Sequence, residues 1–241
     1  MTGSDPDIHT EIEAVWNEYD DEQYRRDQSH WRGEGRWDDQ RWEQIGRTTK
    51  SRLMPFFGER RRPWPNDRAL TLLEWGPGGG SNLHALANVA RTIFAIDISA
   101  KNLEESSRIV AETECDDYRP VLLTGDPDEI GQFVQVPIDL IISTAVFQHF
   151  PSKTYAGEVL RVMESLLAPD GLGYVQIRYD DGNPKYAPKP LRDYRKHHIT
   201  ATSFELAEFW SLLLDVGLMP VKIANLNTRI NYASFYFANS A

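Results

Sequence analysis

A run of glycines is the part of this chain whose residue types and spacing most clearly suggest chemistry. Four glycines and a proline interrupt an apolar segment at residues 76–80, and helical spacing resumes at Ser81. Because glycine has no Cβ, its backbone readily takes positive φ and lets a ligand approach the main chain closely. A helix that begins just after the turn would present unpaired N–H groups and the positive end of its dipole to that ligand.

Asp97 is the second residue of this arrangement. It ends the next apolar run, residues 91–97, and follows the glycines at about the twenty-residue distance typical of a nucleotide-binding βαβ unit. A carboxylate at that place can accept hydrogen bonds from ribose hydroxyls. The two features together predict a cofactor that carries a nucleoside.

The elements that must position these residues alternate along the chain. Strands are predicted at residues 70–74, 92–96, 120–124, 138–143 and 173–178, and helices at residues 81–90, 100–112, 152–168 and 200–216. Two further strands, at residues 219–225 and 232–238, are joined by only six residues and must pair antiparallel. We therefore predict an α/β fold: a doubly wound, seven-stranded, mostly parallel sheet with a reversed last strand.

The first part of the chain differs from this core because it is rich in charged and aromatic residues. Its amphipathic patterns predict helices. We interpret residues 1–62 as a helical N-terminal cap that forms a lid, and residues 63–241 as the nucleotide-binding core. Within the core, residues 179–198 form a long, polar, proline-rich connection, which is typical of a binding loop on the acceptor side.

Composition narrows the class of partner. The formal net charge is −10, and nucleic-acid binding usually needs a basic surface, so no nucleic-acid partner is expected. The single cysteine, Cys115, fits a reducing compartment. No signal peptide or membrane-length apolar run occurs, which favours a cytoplasmic protein without a membrane partner. No cluster of residues argues for a metal, and a homodimer is compatible with the sequence.

Three nucleotide cofactors compete for the glycine turn. A phosphate-binding P-loop needs a lysine after its glycines, and here Gly80 is followed by Ser81. A dinucleotide remains compatible with Asp97, but neither frame through the glycines gives the complete dinucleotide pattern, since Ser81 or Leu83 stands where the last small residue belongs. S-adenosylmethionine has no pyrophosphate, so its amino-acid part would contact the turn while Asp97 holds the ribose.

The motifs resemble those of the class I (Rossmann-like) S-adenosylmethionine-dependent methyltransferases. The resemblance covers most of the chain from residue 69 and rests on five motifs in order, at residues 73–80, 94–99, 125–126, 139–150 and 166–172. Asp170 departs from the family pattern, which has a glycine there, and the bulky Trp75 stands where many members have a smaller residue. The base-modifying motif of nucleic-acid methyltransferases is absent at residues 139–150. The resemblance therefore implies a small-molecule acceptor.

The resemblance also implies a set of cofactor-binding residues: Arg47, Glu74, Gly76, Gly78, Asp97, Ile98, Asp126, Ser143 and Thr144. Glu74 would organise the turn or contact the ammonium group of the cofactor, and Ile98 would lie beside the adenine. Asp126 would hold the adenine amino group, although an ordinary turn before Pro127 explains it equally well. Arg47 would pair with the cofactor carboxylate, against the simpler interpretation of a surface arginine.

His149 is the candidate catalytic residue. It lies in the motif that lines the methyl-transfer site of the family, and histidine titrates near neutral pH, which suits a general base. A structural role as a helix cap or packing residue remains an alternative. The sequence thus predicts transfer of a methyl group to an oxygen or nitrogen of a small metabolite; the alternative is an enzyme that cyclises or cleaves the sulfonium itself.

Overall fold

The computed structural model describes residues 8–18, 21–33, 35–189 and 194–240. Its strands are β1 (Leu70–Trp75), β2 (Ala90–Asp97), β3 (Asp117–Leu122), β4 (Ile138–Ser143), β5 (Leu167–Arg178), β6 (Leu218–Asn227) and β7 (Tyr232–Asn239). They form one sheet in the order β3-β2-β1-β4-β5-β7-β6. The predicted seven-stranded α/β architecture is confirmed.

The sheet is parallel except at β7. Strand β1 pairs parallel with both β2 and β4, while β7 pairs antiparallel with β5 on one side and β6 on the other. The chain moves outward from β1 first through β2 and β3 and then through β4 and β5. This reversal of strand order opens a crevice at the carboxyl end of β1, where open α/β sheets bind their ligands.

Helices cover both faces of the sheet. They are α1 (Ile8–Asn17), α2 (Glu22–Gln28), α3 (Asp39–Glu59), α4 (Ser81–Leu86), α5 (Ala100–Val110), α6 (Ile130–Phe133), α7 (Lys153–Leu166), α8 (Tyr194–His197) and α9 (Leu206–Asp215). Among the residues that the structure describes, none of these helices combines the length and apolarity needed to span a bilayer.

Adjacent residues of the central strand supply the two halves of the core. Leu73 packs into a cluster that contains residues of α7 and α9, whereas Leu72 packs into a second cluster that contains residues of α3, α4 and α5. Successive side chains of a strand point to opposite faces, so a strand buried on both sides is mostly apolar along its length. This explains why apolar residues dominate β1, in which only Thr71 and Glu74 are polar.

Helix α3 belongs to the core layer although it precedes the first strand. Its Leu53, Phe56 and Phe57 are almost completely buried and pack in the same cluster as Leu72. The apolar face of α3 therefore covers the sheet beside α4. The segments that reach over the cleft are α1, α2 and the loop that follows α2; these segments, residues 8–18 and 21–33, form the lid.

Several observed boundaries differ from the predicted ones. The helix predicted at residues 200–216 begins only at Leu206. Helix α4 ends at Leu86, not at residue 90, because Ala90 already pairs with Leu70 as the first residue of β2. Strand β3 begins at Asp117, where it pairs with Thr92, and ends before residue 124. Strand β5 begins at Leu167, within the helix predicted at residues 152–168, and its pairing with β4 is irregular between Ile138 and Leu140.

Candidate active site at the carboxyl edge of the sheet

A cleft lies at the carboxyl ends of β1, β2 and β4. From the core it is lined by Trp75, Gly76, Pro77, Gly78, Ser81, Asn82, Ile96, Asp97, Ile98, Asn102, Leu123, Thr144, Ala145, Val146, His149, Phe150, Pro151 and Tyr155. The lid, α3 and α8 line its opposite side with Ile12, Trp16, Gln28, Ser29, His30, Ile45 and Tyr194. The cleft therefore lies between the strand ends and the lid, as the sequence predicts for a nucleotide site.

The glycine turn takes a backbone conformation that other residues adopt with strain. Gly76, Gly78 and Gly80 have φ values of 76°, 51° and 73°, all in the left-handed region. A Cβ at Gly76 would also lie 2.4 Å from a methyl group of Val146, which follows β4. The turn thus depends on glycine both for its dihedral angles and for the close approach of neighbouring segments.

The lid packs directly on this turn. The amide of Gly79 donates a hydrogen bond to the carbonyl of Ser29 at 2.7 Å, and a Cβ on Gly79 would lie 2.2 Å from the carbonyl oxygen of His30. Trp42, at the start of α3, donates its indole N–H to the carbonyl of Gly79 at 3.1 Å. Backbone contacts of this kind fix the lid loop over the cleft and leave no space for side chains at the glycines.

Asp97 ends β2 beneath the turn and is buried. Its carboxylate accepts hydrogen bonds from the amide of Ser99 at 2.8 Å, from the amide of Gly78 at 3.4 Å and from the side-chain amide of Asn102 at 3.3 Å. Burial raises the pKa of Asp97 to about 6, although these hydrogen bonds act in the opposite direction. The carboxylate is therefore oriented by the core and lines the cleft with little competition from water.

Glu74 lies one layer below the cleft and is completely enclosed. Its Oε1 accepts a hydrogen bond from the side-chain amide of Asn82 at 2.7 Å, and the same amide donates to the hydroxyl of Thr144 at 2.9 Å. Burial raises the pKa of Glu74 to about 8. Glu74 Oε2 and Asn82 Oδ1 are buried without a hydrogen-bond partner in the part of the chain that the structure describes, so two polar atoms beside the cleft remain unsatisfied.

His149 follows β4 in a short helical turn and lines the same cleft. Its Nδ1 lies 2.7 Å from the carbonyl oxygen of His198, and only a protonated Nδ1 can donate to that oxygen. Its Nε2 lies 3.0 Å from the side-chain amide nitrogen of Gln148 and accepts from it. Burial lowers the pKa of His149 to about 3, so the titration near neutral pH predicted from the sequence is wrong for the free cleft. The imidazole is neutral at pH 7, with its lone pair on Nε2.

Aromatic groups from three separate segments surround His149. Trp16 of the lid meets the imidazole edge-to-face at 4.8 Å between ring centroids, and His198 stacks at 6.1 Å. Tyr194 donates its hydroxyl to the carbonyl of His149 at 2.9 Å and accepts from the indole of Trp16 at 3.3 Å. The lid, the turn after β4 and the end of the predicted acceptor-side loop therefore meet at one place.

The structure brings most of the predicted site residues together. Six of them line the cleft: Gly76, Gly78, Asp97, Ile98, Thr144 and His149. Glu74 lies directly beneath it, bonded to Asn82. Ser143 is also buried below the surface of the cleft, where its hydroxyl donates to the carbonyl of Trp75 at 2.9 Å.

Two predicted site residues lie away from the cleft. Arg47 is on an exposed part of α3 and pairs with Glu43 one turn earlier, at 2.5 Å. Asp126 is exposed and accepts a hydrogen bond from the amide of Asp128 at 2.9 Å, as the cap of a short helical turn. The family-like position of Arg47 is explained by its ion pair within α3, and that of Asp126 by the turn before Pro127. At the end of β3, Leu123 lines the cleft in place of Asp126. Part of the predicted acceptor-side loop, residues 190–193, lies outside the described residues.

Several lining residues have no counterpart in the predicted set. Asn82 and Asn102 sit in the first turns of α4 and α5, where an amide side chain can reach back to Glu74 or Asp97. Both residues could have been predicted from their positions in the first helical turn after each motif. The lid residues Ser29 and His30 carried no such signal, because their place over the glycines follows from the packing of distant segments.

The comparisons with known proteins agree with this geometry. Residues 73–172 match the model of a methyltransferase domain family. The ubiquinone biosynthesis O-methyltransferase of Caulobacter vibrioides is 32% identical over 107 residues, which are 44% of this chain and 40% of that protein. The chain thus spans about two fifths of the length of that curated relative.

Solved structures share the fold over nearly the whole chain. The magnesium protoporphyrin IX methyltransferase of Synechocystis, with bound S-adenosylmethionine, has a TM-score of 0.66 at 20% identity and covers 99% of this chain and 100% of its own. The N-methyltransferase NodS of Bradyrhizobium japonicum, with S-adenosylhomocysteine, has a TM-score of 0.60 at 14% identity, with coverages of 98% and 100%. Residues 73–172 thus match a methyltransferase domain, and the chain has the fold of these S-adenosylmethionine-dependent methyltransferases.

Proposed function

We propose that this chain transfers a methyl group from S-adenosylmethionine to an oxygen or nitrogen atom of a small-molecule acceptor. The observation that carries the proposal is the buried carboxylate of Asp97, held by Ser99 and Asn102 at the edge of a cleft whose other wall is the glycine turn. A carboxylate fixed in this way suits the two hydroxyls of a ribose.

The residues around the turn fit the rest of the cofactor. A Cβ at Gly78 would lie 2.5 Å from the carbonyl oxygen of Ser29, so only glycine leaves room between turn and lid. Asn82 Oδ1, which has no hydrogen-bond partner among the described residues, is an acceptor beside the turn and suits an ammonium group, which donates only. The Glu74 carboxyl, neutral at pH 7 in the free protein, would ionise beside that positive charge and accept through Oε2 as well. Ile98 and Leu123 supply apolar lining for a purine ring.

The bound cofactor would supply a methyl group on a positively charged sulfur, and the chain would supply alignment and a proton acceptor. We assign the acceptor role to His149. The donor hydrogen bond from Nδ1 to the carbonyl of His198 fixes the tautomer that leaves Nε2 able to accept a hydrogen bond from the acceptor. Because its pKa is lowered to about 3, Nε2 would take the proton only as methyl transfer makes that proton strongly acidic. The amide nitrogen of Gln148 has two hydrogens but three acceptors within 3.0 Å, namely Ala145 O, Tyr232 Oη and His149 Nε2. The hydrogen bond from Gln148 to His149 Nε2 therefore competes with two others, and a substrate hydroxyl can replace it.

A small acceptor is favoured over a polymer because the lid closes one side of the cleft. Ile12, Trp16 and His30 line it opposite the strand ends. The net charge of −10 also disfavours a nucleic-acid substrate. With one cysteine and this charge, the reducing cytoplasm is the compartment that we assign.

The test is incubation of the purified protein with S-adenosylmethionine labelled on its methyl group, alone and with sets of hydroxylated and aminated small molecules. Formation of S-adenosylhomocysteine that requires an acceptor, with the label on that acceptor, supports the proposal. Methylthioadenosine formed without any acceptor would favour the cyclase or lyase alternative. No binding of S-adenosylhomocysteine to the wild-type protein, measured by calorimetry, would contradict the cofactor itself.

A further inference from the structure

His149 is held in place by segments that lie far from it in the sequence. The edge of the Trp16 ring, in α1, meets its imidazole at 4.8 Å between ring centroids, with an angle of 77° between the planes. The main-chain carbonyl of His149 accepts a hydrogen bond from the hydroxyl of Tyr194 at 2.9 Å, and Nδ1 lies 2.7 Å from the carbonyl oxygen of His198. The lid therefore orients the imidazole together with residues 194–198.

Trp16 and Tyr194 form one hydrogen-bonded unit on His149. The indole N–H of Trp16 donates to the hydroxyl of Tyr194 at 3.3 Å, and this hydroxyl donates in turn to the carbonyl of His149. Trp16 is 9% exposed and Tyr194 is 1% exposed, so neither side chain can change its rotamer without disturbing the packing around it. Trp16 thus supports His149 twice, directly through its ring and indirectly through Tyr194.

The position of Trp16 is fixed by the loop that follows β2. Ser99 donates its hydroxyl to the carbonyl of Trp16 at 3.1 Å. The neighbouring Asn17 donates its side-chain amide to the carbonyl of Ile98 at 3.2 Å. Ile98 also packs against the apolar cluster that contains Trp16. The last turn of α1 is therefore anchored at the edge of the sheet, and it presents the indole to the cleft from a fixed support.

Enclosure by these groups sets the state of the imidazole. Burial is the largest influence on the pKa of His149, and the electrostatic effects of Arg178, His30 and His198 lower it further. The ring of Trp16 is part of this enclosure, since its edge lies against the imidazole and both residues line the cleft. Loss of the ring would admit water and leave room for the imidazole to turn.

We propose that Trp16, acting with Tyr194, is a positioning residue that holds the His149 imidazole in the orientation in which Nδ1 donates and Nε2 accepts. This inference rests on the proposed function, in which Nε2 receives the proton of the acceptor. Trp16 and Tyr194 both lie outside residues 73–172, which match the methyltransferase domain model. The matched domain supplies the histidine, and segments of this chain before and after that domain orient it.

The first test observes His149 itself and needs no acceptor. NMR of the imidazole nitrogens in isotope-labelled protein distinguishes the two tautomers and follows titration, and His149→Asn identifies the signals. In the wild type we expect one tautomer, protonated at Nδ1, that does not titrate between pH 5 and pH 8. In Trp16→Leu the pKa should rise towards the usual value of 6.5, because water reaches the ring, so that His149 titrates in this range. In Tyr194→Phe, which keeps the ring and removes only the hydroxyl, the second tautomer should appear.

Turnover is the second readout, measured with an acceptor found by the screen. Trp16→Leu should lower kcat by about 10-fold to 100-fold, since a misplacement of about 1 Å at a reacting group can cost about 100-fold. Tyr194→Phe should lower kcat by about threefold to 10-fold and leave KM for the acceptor within about twofold, because the ring that lines the cleft is retained. The double variant should be no slower than Trp16→Leu, because both changes act through His149.

Two matched controls remove similar groups away from the cleft. Trp64 packs on Phe57 of α3 at 5.1 Å between ring centroids, and Tyr174 is completely buried with its hydroxyl 3.0 Å from that of Ser234. Trp64→Leu and Tyr174→Phe should leave the His149 signals and kcat as in the wild type. Changes in these controls as large as those in Trp16→Leu would overturn the proposal, because a general loss of packing would then explain both.

Unchanged His149 signals in both Trp16→Leu and Tyr194→Phe would also overturn it, and so would signals that change while kcat does not. A raised KM with unchanged kcat in Tyr194→Phe would contradict positioning and place Tyr194 at the acceptor instead. If Trp16→Leu does not fold, Trp16→Phe replaces it, since it keeps an aromatic ring and loses the indole N–H; the expectations are then those for Tyr194→Phe. Failure to methylate any acceptor refutes the proposed function alone, because the His149 signals still show whether Trp16 and Tyr194 hold the imidazole.

Discussion

The two walls of the cleft are built on different principles. The wall that carries the glycine turn and Asp97 comes from the ends of adjacent parallel strands, and its polar atoms are held by hydrogen bonds over short sequence distances, such as Ser99 N to Asp97. The wall that carries His149 is assembled from α1, the turn after β4 and residues 194–198. One wall is set by the sheet, and the other depends on segments that meet only in the folded chain.

This difference predicts that the two walls can be disabled independently. Changes at the sheet edge should weaken cofactor binding, whereas changes around His149 should slow turnover with the cofactor still bound. The following tests are ordered by the size of the expected effect.

His149→Asn should give the largest loss. If Nε2 accepts the proton of the acceptor, removal of this base should lower kcat by about 100-fold to 10,000-fold. Affinity for S-adenosylhomocysteine should stay within about twofold, because Asp97 and the turn are untouched. Steady-state turnover with an acceptor found by the screen, together with calorimetry, measures both quantities. Full activity in the variant would return His149 to a packing role.

Asp97→Asn is the complementary change on the sheet wall. Loss of a charged acceptor beside the ribose should weaken S-adenosylhomocysteine binding by about 10-fold to 100-fold. The wild type should also bind more weakly as the pH falls through about 6, because protonation of Asp97 at its raised pKa removes the charged acceptor. The asparagine variant should lose this pH dependence. Calorimetry between pH 5 and pH 8 checks both, and an unchanged affinity would break the assignment of Asp97.

Gly79→Ala tests the junction between the walls. The added Cβ would lie 2.2 Å from His30 O and 2.7 Å from Trp31 Cα, both lid backbone. We expect a loss of about 1–3 kcal/mol in the free energy of unfolding as the lid loop shifts. Gly131→Ala is the control, since nothing lies within 4 Å of a Cβ there. Chemical denaturation measures both; equal stability of the two variants would mean that the lid is not held on the turn.

Some of the contacts probed by these variants could be predicted from the sequence, and others could not. Asp97 and Gly76 were predictable together because one βαβ unit brings the ends of two neighbouring strands to the same edge. The contact between Ser29 and Gly79 was not, since it joins residues 50 positions apart through loop packing that no periodicity encodes. Arg47 and Asp126 shared local sequence patterns with the family, but each finds a partner within five residues of itself.

The protonation states of Glu74 and His149 could not be predicted from the sequence either. Glu74 was visible in the sequence as the acid of the first motif, but its protonation state depends on complete burial between two helical layers. The neutral state of His149 likewise depends on the burial of its imidazole, which outweighs the opposite effect of the carbonyl of His198, 49 residues later. The motifs identify which residues lie at the site, whereas the charge of each residue depends on its burial and neighbours in the folded chain.

Glu74→Gln should stabilise the free protein in a pH-dependent way. A carboxyl whose folded pKa is raised from 4.5 to about 8 contributes stability below pH 4.5 that is lost as the pH rises through about 8. Glutamine keeps the acceptor for Asn82 without this loss, so the variant should gain on the order of 2 kcal/mol over wild type at pH 8. Denaturation at pH 5 and pH 8 checks the trend, with the exposed Glu104→Gln as the control. A gain that does not grow with pH would contradict a raised pKa.

Arg47→Ala should have the smallest effect, and it tests whether α3 contributes to cofactor binding. Its guanidinium is 60% exposed and paired with Glu43 on the same helix, and an exposed pair of this kind contributes about 0.5 kcal/mol or less. Affinity for S-adenosylhomocysteine should therefore stay within about twofold in calorimetry. A tenfold loss would mean that α3 turns Arg47 toward the cofactor when it binds. The wall that the sheet sets would then include part of α3, and cofactor binding would no longer be separable from movement of the segments before β1.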